Sequence, residues 1–315
     1  LEMLSRRGLR IKAMQTLYIV SSTDNMDVRS ALKQLNYSIN NSHLAYLYGL
    51  HFITEMAHQV DLEAHIKKNK YLPTEQDLNF PVKFFRNHLI NTLWENQYFQ
   101  SKLKKEKLLD WVDEEIVKMI YNQMKEFKPY EKYAAEASDE TGDKKIVQEI
   151  FDNFLLKNEY FDEHMENVVG TWADDEFIVK GLMEEFFRAK SITSQNEKAL
   201  FDFHISEEEQ RFADTLVGKT MEEDAHFDEL IKSKLQNWEL DRVSLIDRIL
   251  MKMAITEFLF IPTIPIKVTI NEYLDISKLY STPKSREFIN GILDKLMNEM
   301  KSNGQIIKTG RGLIE

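Results

Sequence analysis

Ile264-Pro265-Ile266-Lys267-Val268-Thr269-Ile270-Asn271-Glu272, and further on Ser285-Arg286-Glu287-Phe288-Ile289-Asn290-Gly291-Ile292-Leu293-Asp294-Lys295, decide how the chain is read. Pro262 and Pro265 end a helical pattern that runs from Asp241 to Leu259, because proline lacks the N–H that a continuing helix needs. The stretches that follow predict helices near Lys267–Tyr280 and Pro283–Met300. Thr282 suits an N-cap and Pro283 the first helical position. Phe288, Ile292, Leu293 and Leu296 recur at spacings of three and four, marking one apolar face. Gly291 inside that helix costs about 1 kcal/mol relative to Ala, so a tight helix contact is expected there.

Working outward, the same periodicity predicts helices near Ser206–Thr220 and Met221–Gln236, and an opening helix from Ser5 to Val20 with Ser5 as N-cap. Ile11, Met14, Leu17 and Tyr18 share a face of that opening helix. Between Met26 and Lys190, long helical patterns are broken at Pro73, Pro81, Pro129 and the polar run Ser138–Lys145. Apolar stripes recur within them, as in Leu44, Leu47, Leu50 and Ile53, or Ile116, Met119, Ile120 and Met124. Such stripes predict packed core. The composition agrees: 315 residues with 10 Gly and 6 Pro disfavour a turn-rich fold, and the expected class is all-α.

No cysteine is present, which excludes disulfides, thiolate metal sites and cysteine nucleophiles and fits a cytoplasmic protein. Met3-Leu4-Ser5-Arg6-Arg7 has no apolar core behind it of the kind a secretory leader carries. The net charge of −11 is unevenly spread. Glu131–Glu185 holds 16 acidic and 5 basic residues, whereas Arg6, Arg7, Arg10 and Lys12 face only Glu2 among the first twenty residues. From Lys278 onward, seven basic residues oppose four acidic ones. Basic ends flank an acidic middle.

The two opening stretches resemble the C-terminal signature of the NusB family, hydrophobic-P-x-K-V-x-I-N-E followed by F-V-N-G-x-L-D-K, at the family's spacing. Arg6-Arg7-Gly8-Leu9-Arg10 through Met14-Gln15-Thr16-Leu17-Tyr18 is similar to the family's arginine-rich first helix. Phe212-Ala213-Asp214-Thr215-Leu216-Val217-Gly218 is similar to the helix after it. The resemblance covers roughly residues 3–20 and 205–300. It implies a NusB-like double helical bundle with a large helical insertion: a discontinuous RNA-binding core of residues 1–22 and 198–300, an insertion at 23–197, and a flexible basic tail at 301–315.

The resemblance further implies a non-catalytic transcription antitermination factor. Such a factor binds the boxA-like single-stranded element of ribosomal RNA leaders with the ribosomal protein NusE, joins the RNA polymerase antitermination complex and supports ribosome biogenesis. No cofactor, metal or membrane partner is expected. Affinity for RNA comes mostly from cations meeting phosphates, and single-stranded bases are read by stacking and edge hydrogen bonds. Arg6, Arg7 and Arg10 supply cations on this reading. Gln15 and Tyr18 supply base contacts, and Lys284, Ser285, Arg286 and Phe288 form a second patch where free N–H groups of a helix start face a phosphate. The bland alternatives are a solvated helix face, a packed Tyr18 and Phe288, and an ordinary capped helix.

Two other classes compete. Glu55-Met56-Ala57-His58 and Glu223-Asp224-Ala225-His226 are both Glu-x-x-His on predicted helices, a spacing used by di-iron carboxylate bundles. Alternatively, the acidic middle is a helical protein-interaction scaffold that docks a basic partner or keeps RNA off the wrong face.

Overall fold

The computed structural model describes residues 5–23, 25–202, 205–235 and 239–313. Met3 and Leu4, the end of the predicted helix at Gln236, and Ile314 and Glu315 of the expected tail lie outside them. The described residues form helices and connecting turns with no strand, so the all-α expectation holds. In chain order the helices are α1 (Arg6–Ser21), α2 (Val28–Lys68), α3 (Glu75–Leu78), α4 (His88–Glu95), α5 (Gln97–Lys105), α6 (Glu114–Met124), α7 (Lys128–Ala135) and α8 (Glu140–Asn153). They continue as α9 (Glu159–Val169), α10 (Trp172–Arg188), α11 (Glu197–Phe201), α12 (Glu207–Glu222), α13 (Asp224–Lys232), α14 (Leu245–Phe260), α15 (Ile266–Tyr280) and α16 (Ser285–Ser302). The chain divides into two compact units, Asn40–His204 and Glu2–Ile39 with Ile205–Glu315.

In the Asn40–His204 unit the later turns of α2 meet α6 at Tyr121, α9 at His164, α10 at Phe186 and α11 at Leu200. Leu47, Leu50 and Ile53 of α2 are fully buried, as their stripe predicts. On α6 the buried face is Val117, Ile120, Tyr121 and Met124, turned slightly from the predicted one. An aromatic cluster fills the interior: Phe161 packs edge-on against Phe52 and Trp172, with ring centroids 5.0 and 6.0 Å apart. Such pairings add to the area they bury.

The Glu2–Ile39 and Ile205–Glu315 unit is organised around α14, against which α1, α12, α13, α15 and α16 pack. Leu250, Met251, Met253, Ala254, Ile255 and Phe258 are fully buried, as expected of a helix that is apolar on nearly every side. The helix starts are fixed locally. Ser5 accepts from the Gly8 N–H at 3.2 Å. Ser206 and Glu209 form a reciprocal capping box at α12. The predicted helix Met221–Gln236 is interrupted at Glu223, between α12 and α13.

Three local expectations fail. Helix α16 begins at Ser285 rather than Pro283, because the Ser285 N–H closes a turn onto the Thr282 carbonyl at 3.0 Å. Gly291 is exposed, and an added Cβ would meet nothing within 4 Å, so no tight contact explains it. Residues after α16, expected as a flexible tail, fold back. The Thr309 N–H donates to the Pro262 carbonyl at 3.0 Å, and the Lys308 ammonium donates to the Glu257 and Ile261 carbonyls at 2.9 Å each. A Cβ at Gly312 would stand 2.0 Å from the Pro262 carbonyl oxygen, so this approach requires glycine.

Candidate nucleic-acid interface

The arginines of α1 occupy three different environments. Arg10 is 2% exposed. Its Nε and Nη2 donate to the Glu257 carboxylate at 2.6 and 3.0 Å, and Glu257 is wholly buried. The same carboxylate accepts from the Thr269 hydroxyl at 2.9 Å and the Tyr273 hydroxyl at 2.7 Å, so both oxygens carry two donors. Burial alone would lower the Arg10 pKa, but the Glu257 charge and hydrogen bonds override it and raise it. Arg10 was expected on the RNA face. It instead ties α1 to α14 and α15, because a guanidinium this deep needs a saturated carboxylate beside it.

Arg7 is about one-third exposed and forms a fork onto Glu272, with Nε at 2.9 Å and Nη2 at 2.8 Å. It also reaches Asp275 at 3.1 Å. The Glu272 hydrogen bond raises its pKa, against the burial that lowers it. Arg6 pairs with the exposed Glu208 of α12, and its guanidinium lies 5.6 Å from the centre of the Phe212 ring. Tyr18 is 46% exposed, so it is not core. Gln15 is half-buried, and its amide nitrogen is buried without a hydrogen-bond partner among the described residues. Such an orphan donor is costly unless something else meets it.

At the start of α16, Lys284 and Arg286 are exposed, whereas Ser285 is 4% exposed. Ser285 was expected to offer its hydroxyl to RNA. That hydroxyl is committed inward, donating to Asp247 at 2.8 Å and lying 2.8 Å from Ser281 Oγ and 2.9 Å from Thr282 Oγ1. The buried Asp247 thereby holds the turn that displays Lys284 and Arg286. Phe288, one turn on, is half-buried.

Asp275 is a second acid of α15 that α1 reaches. It accepts from Lys278 at 2.7 Å and pairs with Arg7. Its pKa is lowered first by the Lys278 hydrogen bond, and then by the charges of Lys278, Arg7 and Arg286. Arg7 thus reaches an acid 268 residues away in sequence, whereas Arg286 makes no ion pair with a described residue. Glu257, Asp247 and Asp275 carry this arrangement, and sequence reasoning passed over all three. Glu257 gave one signal: a lone carboxylate inside the most apolar stretch of the chain.

The Glu-x-x-His pairs do not assemble. His58 and His226 are exposed, the two motifs lie in different units, and no group of three or more acidic or histidine side chains among the described residues is placed to hold a metal ion. No helix among the described residues is long and apolar enough to cross a membrane.

Residues 176–298 match the family model described as NusB family. The chain is 44% identical over 100 residues to the transcription antitermination protein NusB of Chloroherpeton thalassium, which covers 32% of this chain and 47% of that protein. It is 45% identical over 106 residues to the protein of the same name from Salinibacter ruber, covering 34% and 63%. To the one from Natranaerobius thermophilus it is 38% identical over 90 residues, covering 29% and 65%. The chain thus spans between about half and just under two thirds of these relatives' lengths. A solved structure of T. maritima NusB aligns at 34% identity over 38% of this chain and 83% of that one, with a TM-score of 0.30.

Proposed function

The chain belongs to the NusB family, elaborated by extra helices, and from that premise we propose that it is a cytoplasmic, non-catalytic transcription antitermination factor. On this reading it binds a boxA-like single-stranded RNA together with NusE, within the RNA polymerase antitermination complex, and supports ribosomal RNA synthesis. The RNA site rests on Arg7 at the part-exposed edge of α1, which pairs with α15, and on exposed Lys284 and Arg286 at the start of α16, which packs against α15 in the same unit. Arg6, Arg7, Lys284 and Arg286 supply cations at the surface of the same unit. Tyr18, Gln15 and Phe288 supply a partly open ring, an unpartnered amide and a second ring for base contacts. Arg10 and Ser285 act behind the surface, as supports for α1 and for the α16 turn.

The internal carboxylates shape the expected affinity. Arg7 sits on Glu272 and Asp275 and Arg6 on Glu208, so RNA phosphates compete with acids already in place. Lys284 has no ion pair among the described residues and meets no such competition. The test is fluorescence anisotropy of a boxA-like RNA, with and without NusE, across a salt series. Lys284→Ala with Arg286→Ala is expected to weaken binding and flatten the salt slope by roughly one to two, about one for each phosphate left without its cation. Unchanged affinity and slope in that double variant would remove the α16 turn from the site.

A further inference from the structure

The residues that fold back after α16 line a half-open cavity of about 520 Å³ against α15 and the end of α16, with Ile307 and Leu313 exposed at its mouth. That volume lies within the roughly 300–1,000 Å³ range of small-molecule sites. Its walls are apolar, with half-buried Ile266, Met297 and Ile306. Its charged lining among the described residues is of one sign, Lys267, Lys301 and Lys308.

We infer that this cavity binds an aliphatic monocarboxylate, its chain along Ile266, Met297 and Ile306 and its carboxylate held by Lys267 and Lys308. An ammonium carries three N–H donors and accepts nothing. Lys308 uses two of them on the Glu257 and Ile261 carbonyls, which leaves one for a ligand. Lys267 is exposed at the rim and makes no hydrogen bond or ion pair with a described residue. The side chains of Ile266, Met297 and Ile306 offer an aliphatic chain apolar surface to lie along. Burial lowers the Lys308 pKa to about 8, so an anion beside it restores the charged form. The proposal concerns a site separate from the RNA surface and does not depend on that reading.

Isothermal titration of the full chain with decanoate at pH 7 tests it, with decanol and a hydrophobic tetrapeptide bearing a free C-terminus as comparators. One saturable decanoate site is expected, with decanol weaker by about tenfold or more, as befits loss of a charge-assisted hydrogen bond. Lys267→Met, at an exposed position, is expected to weaken decanoate roughly three- to tenfold, and Met297→Trp to abolish binding by filling the cavity. Affinity should fall between pH 7 and 9 as Lys308 loses its proton. The proposal is overturned by absence of saturable decanoate binding, by decanol binding as well as decanoate, by the tetrapeptide binding in preference, or by full affinity in Lys267→Met. Circular dichroism of Met297→Trp establishes that it is folded, and Lys267→Met decides the matter if it is not.

Discussion

In the unit of residues 2–39 and 205–315 the buried side chains include Arg10, Lys12, Glu209, Asp247, Lys252 and Glu257. The unit of residues 40–204 buries no lysine or arginine among its described residues, and Asp77 and Asp175 are its buried carboxylates. The rest of its polar interior is built from neutral groups. The Tyr48 hydroxyl meets His164 Nε2 at 2.5 Å and donates to the Trp111 carbonyl at 3.0 Å, Tyr46 donates to the Leu200 carbonyl, and Asn87 donates to Tyr133. One interior is organised by ion pairs and the other largely by aromatic hydroxyls, imidazoles and amides. A buried ion pair adds little net stability but fails badly when halved, and it allows few alternative registers. The unit for which we propose the RNA surface is thus the one whose helices are tied together by charge. Its exposed arginines lie on a helix that Arg10 anchors from behind.

The comparison is sharpest where one half of an interior pair is removed. Arg10→Ala leaves the Glu257 carboxylate buried with only hydroxyl donors, and is expected to destabilise its unit by about 3–5 kcal/mol. Urea unfolding followed by circular dichroism reads this directly. A loss within about 1 kcal/mol would mean the pair is as dispensable as a surface one. The residues 40–204 should respond to acid instead. Burial lowers the His51 pKa from 6.5 to about 4, and burial also lowers that of His164. Between those pH values the unfolded chain binds a proton that folded His51 refuses, so stability falls as pH drops from 6.5 toward 4. For His51 the loss is up to about 3 kcal/mol. His51→Gln should flatten this limb of the urea-midpoint profile, and an unaltered profile would assign the acid response elsewhere.

The fold class was legible because helix-forming composition and three-to-four periodicity act locally, and of the stripe Leu44, Leu47, Leu50 and Ile53 the last three lie in the core while Leu44 is half-buried. Positions along α1 were legible too, but their roles were not. Arg6, Arg7 and Arg10 look alike in sequence, and what separates them is the distant Glu208, Glu272 and Glu257. Those pairings span more than two hundred residues, and no local pattern encodes them. Ser285 was misread for the same reason: its hydroxyl is claimed by Asp247 from another helix. The start of α16 was missed by two residues because the Thr282 carbonyl, rather than its side chain, closes the turn. The last residues have weak helical signal, and their order comes from carbonyls at the end of α14 that only the folded chain presents.

The surface cations should behave unlike the interior ones, altering RNA affinity without altering stability. Lys284→Ala and Arg286→Ala are each expected to weaken RNA binding by about 1 kcal/mol, with unfolding changed by less than about 0.5 kcal/mol. A matching loss of stability would show the α16 turn to be structural, as Ser285 is.

The smallest effect has the opposite sign. Glu208 is exposed and pairs with Arg6 on α1, so it neutralises a cation that the RNA reading needs. An exposed pair of this kind contributes roughly 0–1 kcal/mol to stability, because both side chains are well solvated and lose rotamer freedom on pairing. Glu208→Gln should therefore leave the unfolding midpoint nearly unchanged. The same substitution removes the carboxylate with which a phosphate must compete for Arg6, and it makes the local potential more positive. Tighter RNA binding follows, by a few tenths to about 1 kcal/mol at low salt, fading as salt screens the interaction. Anisotropy titrations at two ionic strengths measure it. If Glu208→Gln binds RNA no more tightly at low salt, Arg6 does not face the phosphates, and the basic surface narrows to Arg7 and the α16 turn.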